Sequence, residues 1–172
     1  MAKAAKATAK ARPRKKPAQK PARSPTRART KTSARQVRAK TKTKARPAQK
    51  FTVSHLNEAD FASGLRTYAQ YRDLGISPAT NGMVQAHVIR FLPPFRPEEV
   101  SIPHYHDVDF QMIYVLKGWL KSEFEGQGAI TMQAGSCWIQ PPRIKHTVLD
   151  YSDDCEVLEV IMPADFDTVM LE

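Results

Sequence analysis

An all-β domain, a sandwich or barrel of short antiparallel strands behind a disordered basic tail, is what this 172-residue sequence predicts. The first observation is how charge is partitioned. Residues 1–50 hold 19 of the 27 Lys and Arg and none of the 17 Asp and Glu, so residues 51–172 carry 8 basic against 17 acidic groups, a net of −9. The second is how apolar residues are partitioned. The first 50 residues contain thirteen Ala and one Val but no Leu, Ile, Phe, Trp, Tyr or Gly. Ordering a residue costs about 1–2 kcal/mol of backbone entropy, and a segment with so little to bury does not recover it. The third is a period of two in the apolar residues beyond Phe51, broken by turn signals roughly every 8–12 residues. The predicted organisation is a tail over 1–50 and one domain over 51–172, with its barrel core at about 80–165.

Element by element, Asn57 can cap a short helix carrying Phe61, Leu65 and Tyr68 on one face, although Gly64 sits in its middle. A helix or strand segment is therefore expected over 57–76. Met83–Leu92 alternates and ends at Pro93-Pro94. Phe110–Leu116 places Gln111, Ile113 and Val115 on one face and Met112, Tyr114 and Leu116 on the other. After a break at Lys117-Gly118, Leu120 and Phe124 alternate with Lys121, Glu123 and Glu125 in Trp119–Phe124. Gly126-Gln127-Gly128 turns the chain into Ile130–Met132, and Ala134-Gly135 turns it into Cys137–Ile139, which Pro141-Pro142 closes. His146–Leu149 and Val157–Ile161 complete the series.

Several classes are excluded or disfavoured by composition. No run of 18 apolar residues exists to span a membrane. The basic start lacks the apolar stretch of a secretory signal, so a cytoplasmic or nucleoid-associated protein is expected. The five Pro of residues 1–50 oppose an amphipathic transit helix. Cys137 and Cys155 lie in apolar runs and are expected as core thiols rather than a disulfide or a nucleophile. The tail, with cations and Pro spread through it, compositionally resembles the lysine-rich tails of linker histones. Such a chain neutralises phosphates without reading sequence, so non-specific DNA or RNA is its expected partner, with a merely solubilising role as the alternative.

His104 and His106 are one residue apart and share a face of a strand, and His146 opens another strand 40 positions after His106. Two imidazoles aimed into a barrel, with a third arriving from the opposite sheet, suit a divalent transition metal. An H-x-H pair alone is equally what two unrelated surface or core histidines produce.

The surrounding spacing narrows this. His104 and His106 are followed by Gln111 and Gly118, then by Gly135, Pro141, His146 and Asp150. This resembles the two motifs of the cupin superfamily, closely over about 100–150 and loosely elsewhere. The resemblance implies a jelly-roll barrel (a double-stranded β-helix), a frequent homodimer, and metal ligation by His104, His106, Gln111 and His146. Three departures stand out: Glu98 where a Gly is usual six residues before His104, Arg143 where the second motif has Gly, and Asp150 in place of its Asn. Gln111 stands where many cupins have Glu. Three neutral imidazoles and an amide leave a bound Zn, Ni, Fe, Mn or Cu ion its whole double charge, which favours Lewis-acid chemistry. Small cupins that process uronate sugars or cyclise polyketides are similar in this arrangement. Gln111 can instead hydrogen-bond a histidine without touching metal.

An acid or base must then come from elsewhere. Glu159 shares a strand face with Val157 and Ile161. Facing inward, it is the natural acid/base, with burial raising its pKa; facing outward, it is a surface charge. Gln85 and His87 alternate with Ile89 and can line the same cavity, whereas Tyr105, Asp107 and Asp109 have the opposite parity to the ligands and face solvent. Trp119 and Trp138 read as packing residues. The functional expectation is a metal-dependent, non-redox isomerase, lyase or cyclase acting on a small oxygen-bearing substrate. The alternatives are a non-catalytic small-molecule or metal-sensing module and an iron-dependent dioxygenase.

Overall fold

The computed structural model describes residues 48–171. A single 3-10 turn, Glu58–Asp60, leads into β1 (Ala62–Ser63) and β2 (Ala69–Asp73); a four-residue helix α1 (Ile76–Ala79) precedes β3 (Gln85–Phe91), and a second, α2 (Pro97–Val100), precedes β4 (His104–Asp107). There follow β5 (Phe110–Lys117), β6 (Trp119–Phe124), β7 (Gly128–Gln133), β8 (Cys137–Ile139), β9 (His146–Tyr151), β10 (Glu156–Met162) and β11 (Asp167–Met170). The strands form two antiparallel sheets, one ordered β1-β2-β3-β10-β5-β8 and the other β11-β4-β9-β6-β7. This is the all-β jelly roll. Among the described residues no helix is long and apolar enough to cross a membrane.

Period-two patterning explains which faces meet. Along β5 Gln111, Ile113 and Val115 are buried while Tyr114 and Leu116 are exposed; along β6 Leu120, Ser122 and Phe124 are buried between exposed Lys121 and Glu123. Those inner faces join Phe91, Met132, Tyr151 and Val157 in one apolar cluster between the sheets. Gly118 makes the β5–β6 corner possible. Its φ is +64°, and an added Cβ would lie 2.0 Å from Ser152 Oγ.

The N-terminal part departs from the expected helix. Asn57 does cap, its side chain accepting from the Ala59 N–H, but the turn ends at Asp60. Ala62 and Ser63 then pair with Tyr71 and Gln70. Gly64 packs so closely on Tyr71 that a Cβ would stand 2.3 Å from the ring. Phe61, Leu65 and Tyr68 consequently go to three places: Phe61 under the Arg90 guanidinium, Leu65 into solvent, Tyr68 stacked on Phe91. The sheets also extend past the expected 80–165 core, since β1 and β2 precede it and β11 follows it. Cys155 is a core thiol, but Cys137 is exposed, because on edge strand β8 it is the central Trp138 that turns inward. The expected tail falls outside the described residues up to position 47; of its last three residues, Ala48 and Lys50 already hydrogen-bond to Asn81 and Ala79.

Candidate metal centre

Strand parity puts His104 and His106 on one face of β4, and the register sets His104 directly opposite His146 of β9. The third histidine therefore comes from the adjacent strand of the same sheet, not from the opposite sheet. One ligand atom from each ring lies within 4.8 Å of the others, and ring centroids are 4.3–5.2 Å apart. Each Nδ1 is tied back: His104 to the Ile102 carbonyl at 2.8 Å, His146 to the Ile144 carbonyl at 3.0 Å, and His106 to Thr168 Oγ1 at 2.9 Å. A carbonyl only accepts, so Nδ1 of His104 and His146 carries the proton and each Nε2 presents a lone pair. Burial, reinforced by neighbouring imidazoles, pushes the pKa of His104 down to about 3 and of His106 to about 4, so both rings are neutral near pH 7.

The opposite sheet supplies the facing wall. Glu159 of β10 pairs across the strands with His87 of β3, and Gln111 lies diagonally on β5. His87 Nε2 and Gln111 Nε2 each lie 2.6 Å from a different Glu159 oxygen. Glu159 faces inward with only 13% of its side chain exposed. The expected rise in its pKa does not follow. Burial acts in that direction, but hydrogen bonds and the His87 charge outweigh it and hold the carboxyl below its ordinary value. Gln111 meets Glu159 and Gln140 rather than a histidine, which differs from the amide-to-imidazole bond considered above.

Gln140 lines the same site and was missed by sequence reasoning. Its Nε2 lies 3.1 Å from Gln111 Oε1 and 3.2 Å from His146 Nε2. One electropositive amide group is thus held where a carboxamide oxygen and an imidazole lone pair converge. That is the donor set a transition metal requires, so the residues fit the ion. Thr168 was missed because it lies beyond the expected core, and Arg66, which also lines the cavity, because the expected helix gave it no place. Only the turn residues flanking Gln140 marked its neighbourhood.

These groups line one cavity of about 360 Å³ with mostly apolar walls, including Ile89, Phe91, Ile113, Leu120 and Trp138. All five of those wall residues belong to or pack on the core as well: Phe91, Ile113 and Leu120 within it, Ile89 and Trp138 against it. Gln85 and His87 line it as expected. Asp107 and Asp109 face solvent, and Tyr105 is half-buried. Arg143, in the place of the usual glycine, has a φ of +62°. Its N–H donates to the His106 carbonyl and its guanidinium grips Asp107 through two bonds, so contacts with two successive residues of β4 hold the left-handed backbone.

Comparison with known proteins agrees with this geometry. The profile of the family described as Cupin domain matches residues 94–161. No curated protein matches the chain. Among solved structures, KdgF from Halomonas sp. is similar at 20% identity and a TM-score of 0.51, covering 63% of this chain and 92% of its own. The polyketide cyclase RemF from Streptomyces resistomycificus aligns at 18% identity and a TM-score of 0.55, over 70% of this chain and 86% of its own. Oxalate decarboxylase from Lactobacillus farciminis aligns at 16% identity and a TM-score of 0.52, over 66% of this chain but only 34% of that longer protein. With the two-sheet jelly roll and the converging histidines, residues 94–161 are thus those of a cupin domain.

Proposed function

We propose that this cupin is a metal-dependent enzyme of the non-redox isomerase, lyase or cyclase kind, acting on a small oxygen-bearing substrate. The observation that carries the reading is the set of three buried imidazoles with Nδ1 tied back, facing an ionised carboxylate across one apolar cavity. His104, His106 and His146 would hold one divalent transition ion, with Gln111 adding Oε1 while its Nε2 stays on Glu159. When bound, such an ion supplies Lewis acidity to a substrate oxygen. Glu159 takes a proton from the substrate and returns it at another atom. His87 and Gln111 hold that carboxylate in one orientation, and the apolar walls keep water from competing. The structural resemblance to a protein described as a polyketide cyclase is compatible with this class.

A second reading, a small-molecule or metal-sensing module without catalysis, is favoured by one specific observation. Both Glu159 oxygens are already engaged at 2.6 Å, which makes it a weak base. Elemental analysis of metal-loaded protein beside a His104→Ala/His146→Ala variant tests the common ground: the wild type should hold close to one ion per chain and the variant none. Equal metal in both removes the site. Glu159→Gln then separates the readings, since an enzyme loses turnover with metal retained and a binding module is little changed.

The proposal extends to partners. Residues 1–50 would tether the domain to DNA or RNA, in the cytoplasm or at the nucleoid; of these, 1–47 lie outside the described residues. Exposed Tyr114, Leu116 and Ile139, beside the open edge of β8, support a homodimer, checked by sedimentation.

A further inference from the structure

The cavity carries one charge to which neither reading above gives a role. Arg66 lies in the loop between β1 and β2, at the edge of the six-stranded sheet, and lines the cavity beside exposed Leu65. Its Nη1 reaches Met170 Sδ at 3.4 Å, on β11 at the edge of the five-stranded sheet, so its side chain bridges the two sheets at the rim. Met170 is itself paired with His104, which sets Arg66 on the histidine side of the cavity. Among the described residues that line the cavity, Arg66 is the sole Lys or Arg. It takes part in none of the ion pairs formed by described residues, and a thioether is a poor acceptor for a guanidinium. The cavity carboxylates do not serve it. Glu159 is committed to His87 and Gln111, and Asp73 is exposed at the far end of β2, bonded to the Gly75 N–H.

Arg66 lines the same cavity as the three histidines and Tyr68 and Tyr71, so its charge is available to a ligand there. A guanidinium is a planar fork suited to the two oxygens of a carboxylate. A phosphate of nearly double charge calls for further cations or a helix N-terminus, and the described lining holds no second Lys or Arg. Apolar walls around a small volume suit the rest of a compact molecule.

We propose that Arg66 is the anchor for the carboxylate of the substrate, so that the cavity takes a small molecule bearing one carboxylate and, toward the histidines, an oxygen donor. The metal-facing half of this assignment rests on the function proposed above, while the Arg66 half stands on the cavity itself. Arg66 is a positioning and specificity residue, not a catalytic one.

The test is calorimetric titration of the full-length protein, metal-loaded and chelator-treated, with 2-oxobutanoate, its uncharged counterpart 2-butanone, and inorganic phosphate. Wild type, Arg66→Gln and Arg66→Lys are compared, with metal content measured on every sample. The expected result is 2-oxobutanoate binding roughly tenfold or more tighter than 2-butanone, a preference abolished in Arg66→Gln and partly kept in Arg66→Lys. The basic tail is identical in all three proteins, so only the difference between them counts. Equal 2-oxobutanoate affinity in wild type and Arg66→Gln at equal metal content overturns the anchor. So does the absence of 2-oxobutanoate binding to wild type, or tighter Arg66-dependent binding of phosphate. If the wild type takes up no metal, the proposed function fails separately. Arg66-dependent carboxylate binding by the chelator-treated protein would then still support the anchor.

Discussion

Replacing Glu159 by Gln removes a charge while conserving shape, and the strength of its two hydrogen bonds sets what that costs. A carboxylate only accepts, and here each oxygen faces its own nitrogen at 2.6 Å, from His87 and from Gln111. A glutamine offers one oxygen and one NH2. With its oxygen toward Gln111, its NH2 faces His87 Nε2, which accepts once the imidazole proton has moved to Nδ1. Both bonds then survive as neutral ones, each weaker by about 1 kcal/mol than a bond to a charged group. Relief from burying a charge offsets part of this, leaving a net destabilisation of about 1–1.5 kcal/mol. Urea unfolding of full-length Glu159→Gln beside wild type, both chelator-treated, measures it, and the melting temperature should fall by about 3–6 °C. In a double-mutant cycle with His87→Phe, the coupling should be about 1 kcal/mol or more. A Glu159→Gln protein within about 0.5 kcal/mol of wild type, with no coupling to His87, would refute the two-donor account of this carboxylate.

Other perturbations give distinct outcomes. Thr168→Val removes the partner of His106 Nδ1 and should weaken metal affinity by roughly 10–100-fold in a chelator competition, with little change in the unfolding midpoint of the metal-free protein. Gly118→Ala imposes a side chain on a left-handed residue whose Cβ would strike Ser152 Oγ, the acceptor of the Trp119 N–H. A loss of about 2–4 kcal/mol is expected in denaturant, and a loss below 1 kcal/mol would count against the steric reading. Full-length protein should bind random duplex DNA with log affinity falling at a slope of about −9 against log salt if about ten cations of the tail engage; salt-indifferent binding would end the tether proposal.

Much of the architecture was legible because the strands that matter most sit mid-sheet, half in and half out. Period two placed Gln111, Ile113 and Val115 on the buried face, and Pro93-Pro94 and Pro141-Pro142 marked where strands stop. What escaped was set by long-range pairing. Asn57, Phe61, Leu65 and Tyr68 have helical spacing, yet the contact of Gly64 with Tyr71 decides that region. The candidate ligands His104, His106 and His146 could be picked out by spacing, but not that β4 and β9 are neighbours, because register across 40 residues leaves no local trace. Glu159 had two faces open to it, and the long-range bonds to His87 and Gln111 explain how an inward carboxylate stays ionised. Thr168 lies in β11, a strand of only four residues, and Arg66 in a loop, so nothing in their surroundings announced either one.

The pairing of β4 with β9 has a mechanical consequence. Among the described residues those strands meet at a single Cα pair, His104 with His146, whereas β4 is paired with β11 along its whole length. Strands β4 and β11 therefore form a two-stranded flap, joined to its sheet by one ladder rung and to the loop before β9 by Arg143, through its N–H on the His106 carbonyl and its guanidinium on Asp107. Two of the three imidazoles ride on the flap and the third on the frame, so an ion bound by all three would act as a latch across the seam. Amide hydrogen exchange in 104–107 and 167–170 should slow on metal loading far more than in Trp119–Phe124.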